Sequence, residues 1–191
     1  MHDGDVATDL TLTGQLLVAA PNLRNSPFER TVVLMLSHDE DGALGVIVNR
    51  PTDVAVDDVL PGWTSVVSQP GFVFQGGPVS LDSALGLVSF HTGEEPIGVR
   101  RVAGPVGVVD LDTPPEVVGS AIMAMRVFAG YAGWAPGQLE DEITEGSWYV
   151  VEAEPSDAFV PDADDLWQVV LRRQPGALAL LASFPTDPTM N

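Results

Sequence analysis

The sequence contains no cysteine and no lysine. Without cysteine, disulfides, thiolate nucleophiles, zinc–thiolate sites and thiol redox switches are excluded. Without lysine, a phosphate-gripping P-loop and any Schiff-base or pyridoxal-phosphate enzyme are excluded as well. No two glycines are separated by a single residue, and no serine lies in a G-x-S-x-G string. The dinucleotide-binding fingerprint and the usual nucleophile elbow are therefore missing too.

Positive charge is scarce, because eight arginines face 27 acidic residues and the formal net charge is −19. Such a charge repels nucleic acid, since duplex binding draws much of its affinity from basic side chains on phosphate. No apolar run approaches the roughly 18 residues of a membrane span. The acidic start of the sequence lacks the regions of a signal peptide. We expect a cytoplasmic protein that binds neither nucleic acid directly nor a membrane.

Length and composition predict one folded domain. The 191 residues are 45% apolar, which is enough for a real core. Residues 1–9 are polar and acidic and predict a flexible tail, which leaves 10–191 as the domain. The predicted strands cluster ahead of the predicted helices, and that order favours the α+β class over strict alternation.

A β-hairpin is predicted from two apolar runs, Thr31–Ser37 and Ala43–Val48, joined by a polar link that ends in glycine. Both runs are nearly continuous in apolar residues, so we expect the hairpin to be buried on both faces. Further predicted strands are Gln15–Ala20, Phe72–Gln75, Leu85–Phe90, Val99–Val102, Val106–Val109 and Trp148–Val151.

The strongest helix prediction begins at Thr113, which forms a capping box with Glu116 and precedes a proline at the first helical position. An apolar stripe at helical spacing extends this prediction to Phe128, and the helix is expected to end near Gly130. Shorter helices are predicted at Val54–Leu60, Gln138–Glu145 and Asp162–Arg173.

Two segments at predicted strand ends carry side chains or turns that could bind a ligand. Asn49 and Arg50 follow a buried strand, where a guanidinium fork can hold an anion or simply pair with one of the many carboxylates. Gly76 and Gly77 precede a proline, in a turn whose N–H groups could receive an anion or a carbonyl. Close packing of a tight turn requires the same glycines.

Two histidines supply an alternative, enzymatic interpretation. His38 and His91 each end a predicted strand, and with a nearby carboxylate one of them would make a general base. Arg30 or Arg50 would then hold an anionic substrate of a small-molecule hydrolase or isomerase. This hypothesis requires the histidines and arginines to lie within about 10 Å of one another around a cleft. The histidine spacing fits no metal motif, and we predict neither a metal nor a cofactor.

Specific strings add a family resemblance. They occur in one order over residues 13–175 and are Gly14–Pro21, Phe28–Val33, His38, Gly42–Pro51, Gly76–Val79 and Gly130–Glu142. Together they resemble the AlgH/YqgE family of bacterial proteins. The resemblance implies a cytoplasmic single domain with a bifurcated mixed β-sheet, curled into a pseudo-barrel with helices packed around it. It also implies a regulator of transcription, a role given to family members by association, with no assigned reaction or cofactor.

We therefore interpret the chain as a non-enzymatic regulatory protein that binds a protein partner or a small anionic ligand. The residues carried over from the resemblance, without an assigned role, and the two turn glycines together form the predicted site: Arg30, His38, Asn49, Arg50, Gly76 and Gly77. No catalytic residue is assigned, and the sequence leaves the oligomeric state open.

The charge predicts the outcome of a mobility-shift titration with duplex DNA. We expect no shifted band even at low salt, where lysine and arginine contacts to phosphate are strongest. Binding that is strong at low salt and weakens steeply as salt rises would contradict this prediction.

Overall fold

The computed structural model describes residues 11–185, so the predicted tail of residues 1–9 lies outside the described residues. Within this range the chain forms ten strands, five α-helices and one short 3-10 helix. The strands are β1 Leu16–Ala19, β2 Val32–Asp39, β3 Gly42–Ile47, β4 Pro51–Ala55, β5 Phe72–Gln75, β6 Val79–Phe90, β7 Val99–Ala103, β8 Val106–Val109, β9 Ile122–Trp134 and β10 Trp148–Val151. The α-helices are α1 Val56–Val59, α2 Pro115–Val118, α3 Gln138–Thr144, α4 Leu166–Arg172 and α5 Ala177–Leu181, and the 3-10 helix is Asp157–Phe159.

All ten strands belong to one mixed sheet with the order β10-β1-β2-β3-β9-β6-β8-β7, to which β4 and β5 are joined beside β9. The β5–β9 pair is parallel, and every other pair in the described residues is antiparallel. Leu16 of β1 and Val106 of β8 share one core cluster although four strands separate them in the sheet. The sheet is therefore curled into an open half-barrel, which confirms the predicted α+β class and pseudo-barrel.

The sheet divides along β9. Near the end of β9, Gly45 of β3 lies opposite Ala132, whereas Phe74 of β5 lies opposite Phe128 on the same side of the strand. Gly76 lies at this fork, donating its N–H to the carbonyl of Ala129 at 2.8 Å and accepting from the N–H of Ile47 at 2.7 Å. The predicted bifurcated sheet is thus confirmed, with a glycine between its two branches.

The long helix predicted from Thr113 to about Gly130 is wrong. Only the four residues of α2 are helical, Pro114 occupies the N-cap position, and no side chain caps that end. Thr113 packs on Gly98 instead, where a Cβ would lie 2.4 Å from its Oγ1. The residues beyond α2 form β9, because pairing with three other strands outweighs a local spacing that a buried strand can also produce.

Smaller differences lie at the ends of the other elements. The hairpin is confirmed, but its tip at Ser37–Asp39 is not buried, so burial on both faces holds only for its base. Val54 and Ala55 belong to β4, so helix α1 is shorter than predicted. The last long helix begins at Leu166 rather than Asp162.

Helix α4 covers one end of the half-barrel. Trp167, Val170 and Leu171 are almost fully buried against the core cluster that contains Leu16. The indole N–H of Trp167 donates to the carbonyl of Ala19 at 2.9 Å, which ties α4 to the end of β1. This contact places the loop that follows β1 next to helices α4 and α5.

Close packing at the fork predicts a large penalty for Gly77→Ala. A Cβ at Gly77 would lie 2.1 Å from the carbonyl carbon and oxygen of Tyr131, and backbone cannot yield as a flexible side chain can. We expect the free energy of unfolding to fall by about 2 kcal/mol or more, measured by urea denaturation. Gly71→Ala is the matched control, since no atom of residues 11–185 beyond its chain neighbours lies within 4 Å of the Cβ that this substitution adds. Equal effects of the two substitutions would contradict the packing argument.

Candidate functional site

Three of the predicted site residues meet at the entry to β2. Asn49 is 7% exposed, and its Oδ1 accepts the N–H of Val32 at 2.9 Å while its Nδ2 donates to the carbonyl of Arg30 at 2.9 Å. Arg50 donates from Nη2 to the carbonyl of Glu29 at 2.6 Å. Asn49 and Arg50 therefore act on backbone, and together they fix the conformation of residues 29–32.

The clamped backbone sets the direction of Arg30. Its φ is 53°, in the left-handed region that is uncommon for a residue other than glycine. The guanidinium lies 4.5 Å from the centroid of the Trp167 ring, and its Nη2 donates to the carbonyl of Phe184 at 2.5 Å. Arg30 is thus held against the aromatic residue that anchors α4.

An open groove lies beside Arg30. We call it the arginine groove, and its larger part has a volume of about 440 Å³. Its walls are formed by Ala20, Pro21, Asn22, Arg24, Gly146, Tyr149, Leu181 and Phe184, and a small recess with Arg30 and Trp167 adjoins it. Glu29 also borders the recess, where its carboxylate accepts the N–H of Asn25 at 3.1 Å.

The arginines of the groove retain donors for a ligand. Between residues 11 and 185, Arg101 and Arg173 form ion pairs with carboxylates, whereas Arg24 and Arg30 do not. Arg24 donates one long bond, from Nε to the carbonyl of Pro21 at 3.4 Å. A guanidinium carries five N–H donors, so both groups can take an anionic oxygen without breaking an existing ion pair.

His38 does not join this site. It lies near the opposite end of β2 from Arg30, and that strand of 8 residues is about 25 Å long at ~3.3 Å per residue. Its Nε2 lies 2.7 Å from Oε1 of Glu140, and its Nδ1 accepts the N–H of Leu12 at 3.1 Å. An acceptor at Nδ1 places the proton on Nε2, so neither ring nitrogen has a free lone pair to act as a base.

The two histidines lie near opposite ends of β9. They therefore do not share the cleft that the hydrolase or isomerase hypothesis required. His38 pairs with Ala43, which lies opposite Trp134 at one end of β9, while His91 follows Phe90, which lies opposite Ile122 at the other end. The 13 residues of β9 measure about 40 Å along the strand at ~3.3 Å per residue. This separation far exceeds the 10 Å that a shared cleft allows.

Gly76 and Gly77 are packed rather than open. The N–H of Gly76 already bonds to Ala129, and a Cβ on Gly76 would lie 2.4 Å from the carbonyl oxygen of Gly130. The tight-turn interpretation of these glycines therefore accounts for their contacts, and a binding role for them stays a prediction.

Metal clusters and membrane-spanning helices are both absent from the described part of the chain. No group of three histidine, aspartate or glutamate side chains there could hold a metal ion. No helix among residues 11–185 is both long enough and apolar enough to cross a bilayer.

Comparison with known proteins identifies the family. A family model described as AlgH-like matches residues 16–179. The chain belongs to the AlgH-like family. A UPF0301 protein of Streptomyces coelicolor is 57% identical over 185 residues, covering 95% of this chain and 96% of that protein. A UPF0301 protein of Thermobifida fusca is 48% identical over 191 residues, covering 95% of this chain and 96% of that protein.

Two solved structures share the AlgH-like fold. A crystal structure of a Corynebacterium diphtheriae protein superposes with a TM-score of 0.86 at 38% identity, covering 90% of this chain and 92% of that one. The solution structure of the AlgH protein from Pseudomonas aeruginosa gives a TM-score of 0.68 at 25% identity, covering 98% and 100%. The predicted family resemblance is therefore confirmed.

The AlgH-like string Gly130–Glu142 contributes to a network of aromatic and polar side chains that the sequence did not reveal. Both indole N–H groups, of Trp134 and Trp148, donate to Oε2 of Glu142 at 2.9 Å. Gln138 donates to the other carboxylate oxygen at 2.9 Å, and Phe28 packs on both indoles. The four-residue spacing of Gln138 and Glu142 on a helix was the one available signal. This network attaches α3 to the sheet.

Arg126 is a second polar residue whose position the sequence did not reveal, because it was expected on a helix. It is fully buried on β9, with its guanidinium carbon 4.2 Å from the centroid of the Phe74 ring. Its Nη2 donates to the carbonyls of Gln69 at 3.0 Å and Phe159 at 3.2 Å. Burial lowers the pKa of Arg126 from its ordinary value to about 10, so it remains a cation at neutral pH.

The contact of His38 with Glu140 predicts a pH effect on stability. A bond from the Glu140 backbone N–H and one from His38 lower the pKa of the Glu140 carboxyl below its ordinary value of 4.5. A lowered folded-state pKa stabilises the fold above the unfolded value, and the stabilisation is lost as pH falls through the folded value.

Glu140→Gln should therefore lower the free energy of unfolding more at about pH 6 than at about pH 3, measured by chemical denaturation. Glu145→Gln, at an exposed position just after the same helix, is the control. A Glu140→Gln effect that is independent of pH would show that the carboxylate charge does not stabilise the fold.

Proposed function

We propose that this AlgH-like chain is a non-enzymatic regulatory protein that binds an anionic group of its ligand or partner in the arginine groove. One observation carries the proposal. Two of only eight basic residues in a chain of net charge −19, Arg24 and Arg30, lie together at an open groove without carboxylate ion pairs within residues 11–185.

The hydrogen bonds of the two groove arginines show which donors they still have. Within residues 11–185, ion pairs to carboxylates form only at Arg101 and Arg173, so Arg24 and Arg30 are among six arginines without one. Arg24 and Arg30 bond to backbone carbonyls instead, which leaves most of their donors free. A phosphate or carboxylate oxygen is the partner that a guanidinium fork fits best.

The walls of the groove indicate the rest of the ligand. Tyr149 and Phe184 border the open part, and Trp167 borders the recess under Arg30. Aromatic walls next to a few polar groups are typical of sites that bind a ring or an apolar side chain and orient it by one charged end. The proposal is therefore an anion attached to an aromatic or apolar group.

The clamp of Asn49 and Arg50 supports the same function indirectly. It holds Arg30 in a left-handed conformation, and holding a residue in a sparsely populated conformation is common at binding sites because it orients the side chain in advance. Asn49 and Arg50 are thus positioning residues for Arg30. The resemblance to a cytoplasmic regulatory family supports assigning the binding event to the cytoplasm.

Phenyl phosphate, inorganic phosphate and phenol test the proposal in isothermal titrations at constant ionic strength. We expect phenyl phosphate to bind more tightly than phosphate or phenol alone, since it engages both the arginines and the aromatic wall. Arg24→Gln should weaken phenyl phosphate about tenfold or more, because losing one charge-assisted contact corresponds to ~1.5 kcal/mol.

Arg172→Gln is the matched control, because Arg172 is exposed at the end of α4 and does not border the groove. Equal weakening by both substitutions would indicate a general charge effect. No measurable phenyl phosphate binding by the unaltered chain would overturn the proposal.

A further inference from the structure

A separate cavity lies at the seam where the curled sheet does not close. On one side are Leu16 of β1, Leu34 of β2 and the segment that follows β10, and on the other is the turn between β7 and β8. The cavity has a volume of about 120 Å³, and we call it the seam cavity. Small-molecule sites are typically concave, mostly apolar and few in each protein.

Small and apolar side chains surround this space. Leu16, Leu34 and Val106 are buried members of the main core, and Val102 packs on it from β7. Opposite them, Ala153 and Ala158 leave room that a longer aliphatic side chain would fill. None of the residues that line the seam cavity borders the arginine groove. The two sites are therefore independent.

The charged residues at the cavity already form ion pairs with Arg173. Asp157 is 4% exposed, and its two carboxylate oxygens accept from Nη1 and Nη2 of Arg173 at 2.8 and 2.5 Å. One of them also accepts the N–H of Glu154 at 2.7 Å. The Glu154 carboxylate is largely exposed and faces Arg173 at 3.3 Å. A ligand would thus meet an apolar wall, and no arginine is among the described residues that line it.

Two arginines hold in place the segment Ala153–Phe159, which covers the cavity. Arg173 binds Asp157 from the outer side, and the buried Arg126 donates to the carbonyl of Phe159 two residues later at 3.2 Å. The segment from Ala153 to Phe159 is therefore fixed at both ends of its 3-10 helix. Because this segment is fixed, it does not collapse onto the core and the cavity stays open, as expected of a pre-formed site.

We infer that the seam cavity binds an uncharged apolar molecule, or an apolar end group, of about the size of benzene. Its volume of about 120 Å³ is close to the ~150 Å³ of an engineered apolar cavity that stays dry and binds benzene. The cavity is too small for a peptide segment. Its carboxylates disfavour an anion, which distinguishes its ligand from that of the arginine groove.

Benzene and benzoate test this inference on the full chain. With methyl groups observed by NMR, benzene should shift saturably the signals of Leu16, Leu34, Val102 and Val106, and it should raise the melting temperature. Benzoate should bind at least about tenfold more weakly, since its carboxylate would face Glu154 and Asp157 without a free cation.

Ala153→Leu fills the cavity and should abolish both the benzene shifts and the rise in melting temperature. Ala179→Leu on α5, away from the cavity, should leave both unchanged. Phosphate added with benzene should not alter either effect, because the arginine groove is separate. This arm keeps failure here distinguishable from failure of the proposed function.

Three results would overturn the inference. They are benzene shifts spread over methyl groups throughout the core, equal affinity for benzene and benzoate, and benzene binding that survives in Ala153→Leu. If Ala153→Leu does not fold, the location of the benzene shifts and the comparison with benzoate in the unaltered chain still decide the question.

Discussion

The pairing of β9 with three other strands is the constraint on which the rest of the structure depends. β3 and β5 share one side of β9, and β6 occupies the other. Two strands can share one side only where the sheet forks, and the fork needs a residue without a side chain between its branches. Gly76, which directly follows β5, fills that position and forms hydrogen bonds to Ala129 of β9 and Ile47 of β3. The curl of the sheet, the seam cavity and the separation of the histidines all follow from this arrangement.

The arginines of this chain mainly link backbone segments by donating hydrogen bonds to carbonyl groups. Arg30, Arg50 and Arg126 each donate to at least one carbonyl, and Arg101 bonds to the carbonyls of Gly93 and Gly104. A planar guanidinium with five donors suits this task, whereas the ammonium of lysine is a compact and strongly hydrated point charge. The absence of lysine and the loop-rich β architecture are thus consistent with each other. The same chemistry leaves Arg24 and Arg30 available for a ligand.

Much of the candidate site could be predicted from the sequence, but which of its residues lie together in the fold could not. Asn49 and Arg50 stood out because they follow a buried strand, and Arg30 was carried over from the family strings. The structure brings the three together through backbone contacts. Arg24 was not singled out, because a lone exposed arginine in a loop carries no pattern. His38 was grouped with them from the family strings, yet strand geometry separates it, since residues at the two ends of one strand cannot meet.

Local sequence was enough to predict the α+β class, the hairpin, most of the short strands and the family. Each of these depends on local alternation, turn residues or strings that a single segment contains. The strand formed by the residues after Pro115–Val118 could not be predicted in this way, because the spacing of their apolar side chains fits a helix or a strand equally well. Partners distant in sequence then supplied the hydrogen bonds and burial that chose between the two. The groove and the seam cavity depend on the same long-range contacts.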